Sequence, residues 1–285
     1  MNPKGYLALV LHAHLPFVRH PEHERFLEED WFFEAMTETY LPLLNVFEGL
    51  ARDGVHFRVT LSLTPTLLSM MTDPLLQTRY LRYLDERLEA LEGERRRTRS
   101  DAYLHPVVLF YSDWYTRLRR RFVEQDRMDV THAFRRLMEA GQLDILTCGA
   151  THGYFPLLSV NEESLYAQLS MAVRTHQRLL GRKPRGIWLP ECGYIPGVDR
   201  ILKEFGIDYF ILDSHGLLNA DPRPKYGVHR PIRTPGGPAA FGRDYESSKQ
   251  VWAAEEGYPG DFVYREFYRD AGFDVHEPHI RKLHH

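Results

Sequence analysis

Glu191 stands at the centre of the run Trp188-Leu189-Pro190-Glu191-Cys192-Gly193-Tyr194, directly after an apolar stretch that Pro190 closes. A carboxylate at the mouth of a buried strand, ringed by aromatic side chains, is expected to be poorly solvated. Such a group suits covalent or acid–base chemistry better than ion pairing. The alternative is a strand-end glutamate that caps the following helix. His12 and His14 follow another apolar run and could hold zinc with a third ligand from a neighbouring strand end. No third ligand stands at a familiar spacing, and convergence of the two is expected only where the strand has ended. Hydrogen bonding of both imidazoles to substrate hydroxyls is the preferred reading, with a core role for one of them as the alternative. No GxSxG elbow is present, Cys192 has no neighbouring base, and Gly236-Gly237 lacks the lysine and helix start of a phosphate loop.

The elements that must position these groups are legible as an alternation. Short apolar runs at 6–12, 57–63, 143–148, 186–190 and 208–212 are separated by stretches of helical period, the pattern of parallel strands with crossover helices. The stretch 32–50 predicts a helix ending at Gly49 or Gly54. Residues 162–180 predict another, with Asn161 as N-cap and Gly181 as its stop. Residues 72–140 contain no convincing strand and read as a helical insertion that could wall a cleft. Pro222 to Pro238 reads as one long loop. Polar residues follow each run: His12 and His14, Thr64, Cys148 to His152, Glu191, and Asp213 to His215. In a parallel β/α architecture those strand ends share one face, and that face carries the site.

Composition narrows the function class. The 285 residues carry 36 Lys and Arg against 39 Asp and Glu, so no charge excess points to nucleic acid or an acidic membrane surface. The basic run from Arg95 to Arg99 reads as a solvated helix end. The run Tyr6 to Leu11 is too short for a signal peptide or membrane span, which leads us to expect a soluble, cytoplasmic protein. Cys148 and Cys192 have no metal-type spacing and read as small buried side chains. Aromatic residues make up 13%, enough for a large core and also for platforms on which sugar rings could stack.

Three segments carry a family resemblance: HAHLP at 12–16, LTCGATHGYFPLL at 146–158 and WLPECGY at 188–194. They resemble, in order, the first three conserved regions of glycoside hydrolase family 57. SSKQVWAAEEGYPGD at 247–261 and YREFYRDAGFD at 264–274 resemble the 1,4-α-glucan branching enzymes of that family more than its amylases. The resemblance implies an α/β fold, an incomplete (β/α)7 barrel followed by a helical domain. It also implies retaining cleavage of α-1,4-glucosidic bonds with transfer to a 6-hydroxyl. Carried over, Glu191 would be the nucleophile, and His12, His14 and His152 would hold hydroxyls of the sugar at the cleaved bond. Trp31 and Trp252 would be stacking platforms, Tyr226 could match a loop tyrosine that favours transfer, and Trp188, Asp213 and Arg243 would complete the lining. No cofactor or metal is implied, and the partner is an α-1,4-glucan.

The chain departs from the family pattern downstream. A retaining mechanism needs a second carboxyl group about 5–5.5 Å from the nucleophile, and in the family it lies in a fourth region beyond the span present here. Asp213 is the nearest substitute by position, but the resemblance makes it a lining residue. Residues 1–285 are therefore read as one truncated catalytic barrel domain, lacking the last strand and the C-terminal helical domain and inactive alone. The rival readings are a 4-α-glucanotransferase or α-amylase of the same family, a non-catalytic glucan-binding fragment, and a metal-dependent polysaccharide deacetylase built on the histidine pair.

Overall fold

The computed structural model describes residues 4–253 together with 255, 257, 258 and 261; the segment 264–274 lies outside the described residues. Five strands arise where the apolar runs predict them, each shorter than its run. The strands β1 (Val10–Ala13), β2 (Val59–Leu63) and β3 (Leu143–Leu146) form a parallel sheet with His12 opposite Ser62 and Ser62 opposite Leu146. In a second sheet β4 (Gly186–Trp188) pairs with β5 (Tyr209–Leu212) in parallel. Two further strands have no counterpart among the apolar runs: β6 (Ile232–Arg233), inside the stretch read as loop, and β7 (Ala239–Gly242) just after it. β7 adds in parallel to β5, and β6 pairs antiparallel at its outer side. Both escape a reading by apolar period because they are only two and four residues long, and β7 is mostly Ala and Gly.

Among the described residues one bridge joins the two sheets. Thr147 N–H donates to the Gly186 carbonyl at 3.1 Å, and Trp188 N–H donates to the Thr147 carbonyl at 2.9 Å. His176, fully buried, faces the Ile145 carbonyl at 3.2 Å and the Arg182 carbonyl at 2.8 Å, so it spans the same seam from behind. The sheets are small and do not close on themselves.

The pleat sorts side chains between two faces. On one face Leu61, Leu63, Leu143 and Ile145 join the helices in a large core, and Ile187, Phe210, Leu212 and Ala240 join another. On the opposite face Leu146, Trp188 and Ile211 pack with Cys148 and Cys192, and Val10, Tyr209 and Phe241 pack against them. Side chains from five strands thus meet on the face opposite the helices.

The helices follow local rules with one interruption. The predicted helix over 32–50 is α1 (Leu27–Ala35), a π-turn (Met36–Tyr40) and α2 (Leu41–Arg52). Pro42 lacks an N–H for the Glu38 carbonyl, and its ring crowds that carbonyl, which accounts for the wide turn immediately before it. Gly54, at φ +72°, ends the helix. Between β2 and β3 run α3 (Pro65–Met71), α4 (Pro74–Arg97), α5 (Leu104–Arg120), a π-turn (Arg121–Gln125) and α6 (Thr131–Glu139). Arg79 of α4 pairs with Glu29 of α1 in the interior, which fixes these helices to one another. After β3 come α7 (Phe155–Leu158) and α8 (Glu162–Leu180), the latter with the expected ends: Asn161 accepts from Glu163 N–H at 3.1 Å, and Gly181 takes φ +82°. α9 (Val198–Glu204), α10 (Ser214–Leu218) and α11 (Tyr245–Trp252) complete the described chain. Among the described residues no helix is long and apolar enough to cross a membrane.

Candidate active site

The C-terminal ends of the parallel strands bring together three histidines, a tryptophan and Glu191. His12 lies within β1 and His14 just past its end. They are two residues apart, so the period of extended chain puts both on one face without the strand having to end between them. This corrects the expectation drawn from their spacing. The His14 ring stacks on that of His152 at 3.7 Å, and His12 lies 5.4 Å from His152 and 4.4 Å from the Trp188 ring, near parallel to both. Four rings therefore form one continuous stacked platform, their planes face to face.

The His14 and His152 rings are braced by hydrogen bonds. His14 Nδ1 contacts Thr64 Oγ1 at 3.2 Å; Thr64 also caps α3 and contacts Thr66, whose hydroxyl donates to the Leu15 carbonyl. His152 Nδ1 lies 3.1 Å from Cys148 Sγ, and its Nε2 lies 3.3 Å from Glu191 Oε1. Complete burial pushes the Cys148 thiol far up, so its sulfur keeps its proton. A carboxylate oxygen only accepts, so Nε2 carries the imidazole proton and donates to Glu191, while Nδ1 accepts from the thiol. Cys148 thus selects the tautomer that faces the carboxylate.

The imidazoles are held neutral. Although His12 keeps an exposed edge, loss of solvent around its ring, then repulsion from His152, His14 and Arg243, brings its pKa down to about 3. Burial and then His152 bring His14 down to about 4. Burial also lowers His152, against the opposing pull of Glu191. A neutral imidazole offers one donor and one acceptor, which suits a sugar hydroxyl. Among the described residues no three His, Cys, Asp or Glu side chains converge as a metal site would require.

Glu191 is presented by a strained turn. Pro190–Cys192 forms a single 3-10 turn in which Glu191 has φ +50° and Cys192 φ +55°, and His152 has φ +58°. Of the five non-glycine residues with positive φ among the described residues, three are in this site, and such conformations cost about 1–3 kcal/mol each. The strain aims the Glu191 side chain outward: it is 65% exposed, against 8% for His152. The poorly solvated carboxylate expected from the sequence is not observed, because the open sheet leaves this rim uncovered. Arg243 bridges outward, its guanidinium 5.5 Å from the Trp188 ring and 5.2 Å from the Trp252 ring, with Nη1 3.9 Å from Cys192 Sγ.

Seven of the expected residues therefore connect: His12, His14, His152, Trp188, Glu191, Arg243 and Trp252. Asp213 lies near enough to oppose ionisation of Cys192, but its carboxylate caps α10 through Ser214 N–H at 2.6 Å. Trp31, on α1, and Tyr226, under the Arg230 guanidinium at 4.3 Å, share no ring contact or hydrogen bond with the cluster among the described residues. From sequence, Thr64 stands out only as a polar strand end, and Cys148 as a strand-end residue and a small buried side chain. The Cys-x3-His spacing at 148–152 is the one local signal that could expose the thiol's role.

The chain resembles known proteins in sequence and in fold. The chain is 35% identical to a 1,4-alpha-glucan branching enzyme of Thermococcus kodakarensis, an alignment covering 94% of this chain and 43% of that protein. Its fold matches the crystal structure of the alpha-amylase AmyC from Thermotoga maritima with a TM-score of 0.90 and 44% identity, over 97% of this chain and 53% of that one. It also matches a family 57 branching enzyme from Pyrococcus horikoshii with a TM-score of 0.83 and 36% identity, over 94% of this chain and 52% of that one. The chain thus spans about half the length of these relatives. Residues 8–263 match the sequence profile of Glycosyl hydrolase family 57, and the chain belongs to that family.

Proposed function

We propose that this chain carries the nucleophile half of a retaining 1,4-α-glucan branching enzyme, with Glu191 as the nucleophile. The observation that carries the reading is the Glu191 carboxylate, turned outward on a left-handed turn and met by His152 Nε2 at 3.3 Å beside the stacked platform. In the first step the Glu191 oxygen would attack the anomeric carbon, forming a glucosyl ester as the C1–O4 bond breaks. His12 and His14 would hold hydroxyls of the reacting sugar, and His152, with both nitrogens engaged by Cys148 and Glu191, would orient the nucleophile. Trp188, Arg243 and Trp252 would line the path of the chain. The departing O4 takes a proton from a second carboxyl group. A 6-hydroxyl then displaces Glu191 and returns a proton to that group. Asp213 is committed to its helix cap, so the reading places the second carboxyl outside the described residues.

We further read the two bridged sheets as part of an incomplete (β/α)7 barrel with residues 72–140 as its helical insertion. Support comes from the side chains of five strands that share one face. A hydrolytic second reading is favoured by the 44% identity to a structure described as an alpha-amylase.

α-Maltosyl fluoride tests the nucleophile, because fluoride departs without a proton donor. We expect fluoride release and a glycosylated peptide containing Glu191, both lost in Glu191→Gln. Labelling of another carboxylate, or release unchanged in Glu191→Gln, would overturn the assignment. On amylose, branch points lost in Glu191→Gln would support the branching reading, and reducing sugars without branch points would favour the hydrolytic one.

A further inference from the structure

A second cavity lies away from the strand ends, between α2, the end of α5 and the π-turn Arg121–Gln125. Its volume of about 430 Å³ falls among ligand-sized sites, roughly 300–1,000 Å³. The floor is built rather than incidental. Arg121 is buried and fixed on three sides: Nε to Asp126 at 3.0 Å, and Nη1 to Glu48 at 2.7 Å and to Asn45 at 2.6 Å. A π-turn at this point, followed by Arg127 and Met128 at φ +50° and +68°, is a locally costly backbone of the kind that accompanies sites.

The polar groups on the wall have fixed directions. Asn45 Oδ1 already accepts from Arg121, so the Asn45 amide is left to donate. Gln125 Nε2 already donates to Glu48 at 3.0 Å, so the Gln125 carbonyl is left to accept. Arg117 and Arg120 add donors and Glu124 adds an acceptor. Trp114 supplies a partly exposed aromatic ring, steadied by Phe110 at 6.0 Å. An anion is poorly served here. The Arg121 charge is already met by Glu48 and Asp126 and that of Arg117 by Asp113, and Glu124 adds a negative charge to the lining. Donors and acceptors around one flat apolar ring suit a neutral polyhydroxylated ligand.

We propose that this cavity is a second, non-catalytic site for a neutral α-glucan chain, with a sugar ring on Trp114 and hydroxyls bonded to Asn45, Gln125 and Arg117. The choice of α-glucan among polyhydroxylated ligands rests on the function proposed above. The site would hold a long chain while another part of it reaches the strand ends.

Native electrophoresis through gels containing soluble amylose tests the proposal. Wild type is expected to be retarded, and Trp252→Ala, which affects only the strand-end site, is expected to keep part of that retardation. In the Trp252→Ala background, Trp114→Ala and Gln125→Ala should each weaken the remaining binding by roughly two- to tenfold. Because Trp114 also touches the helical core, Gln125→Ala provides the variant whose folding is not at issue. Retardation abolished by Trp252→Ala alone would overturn the second site and leave the strand-end reading intact. Retardation lost in Trp114→Ala but untouched by Trp252→Ala would support the cavity and count against the strand-end reading. Relief by a sugar phosphate but not by maltose would overturn the neutral ligand, as would the absence of retardation in wild type.

Discussion

The ionisation of the stacked imidazoles links the site to stability. His12 and His14 titrate near 3 and 4 in the folded chain, against 6.5 for an unhindered histidine. Above that unfolded value neither state holds the proton, and the histidines add nothing. As pH falls below it, the unfolded chain takes up protons that the folded rings refuse, so stability falls with pH through the window from about 6.5 toward 4. His14→Asn removes one such group. The expected outcome, measured by urea unfolding at about pH 7 and pH 5, is a smaller loss of stability in the variant than in wild type. The difference between the two proteins isolates the imidazole from other groups that titrate in the same window, and equal losses would count against the packing of neutral rings. Much of this site is legible from residue types and order, because each polar residue follows an apolar run. The support behind it is not. Thr64 reaches His14 across fifty residues of sequence, and the role of Cys148 depends on a left-handed His152 that turns its ring back over the thiol.

At the scale of elements, the turn that presents Glu191 is held by the packing of Gly193. A Cβ on Gly193 would run into the Tyr154 ring and the edge of Pro156, both of them at the start of α7. Gly193→Ala is therefore expected to lower stability by about 1–3 kcal/mol, as overpacking does. It should also displace the Glu191 turn relative to His152. The measurement is a thermal melt paired with fluoride release from α-maltosyl fluoride, and a variant that melts lower but reacts normally would show that the turn does not depend on this packing. Such contacts explain which elements are legible. α8 is framed by local chemistry, with Asn161 at one end and Gly181 at the other, and its limits match the sequence reading residue for residue. The break between α1 and α2 is local too, yet a period count passes over it because Pro42 widens one turn without changing which face is apolar. β6 and β7 hold together by pairing with distant chain, and nothing in Ala239-Ala240-Phe241-Gly242 announces that partner.

Across the whole molecule, the site straddles a seam. His12, His14 and His152 come from β1 and from chain following β3, while Trp188, Glu191 and Arg243 come from β4 and β7 and the chain beyond them. The two sheets have separate helix-covered cores and meet in the main chain through the paired bonds of Thr147. The distance between platform and carboxylate is therefore set where the sheets are joined. Thr147→Pro removes the bond to the Gly186 carbonyl and places a rigid ring between two strands, at a cost of about 3 kcal/mol or more. The cores on either side, which share α8 through Leu180 in one and Leu165 and Leu169 in the other, should keep most of their secondary structure. The expected result is a protein with near-native far-ultraviolet circular dichroism, lower resistance to urea, and a fluoride-release rate reduced far more than its helix content. His176→Leu, which loses the buried imidazole between the Ile145 and Arg182 carbonyls, should shift the same quantities in the same direction. If both variants lost helix content and reactivity in proportion, the sheets would be one cooperative unit, and the seam would have no separate control over the site.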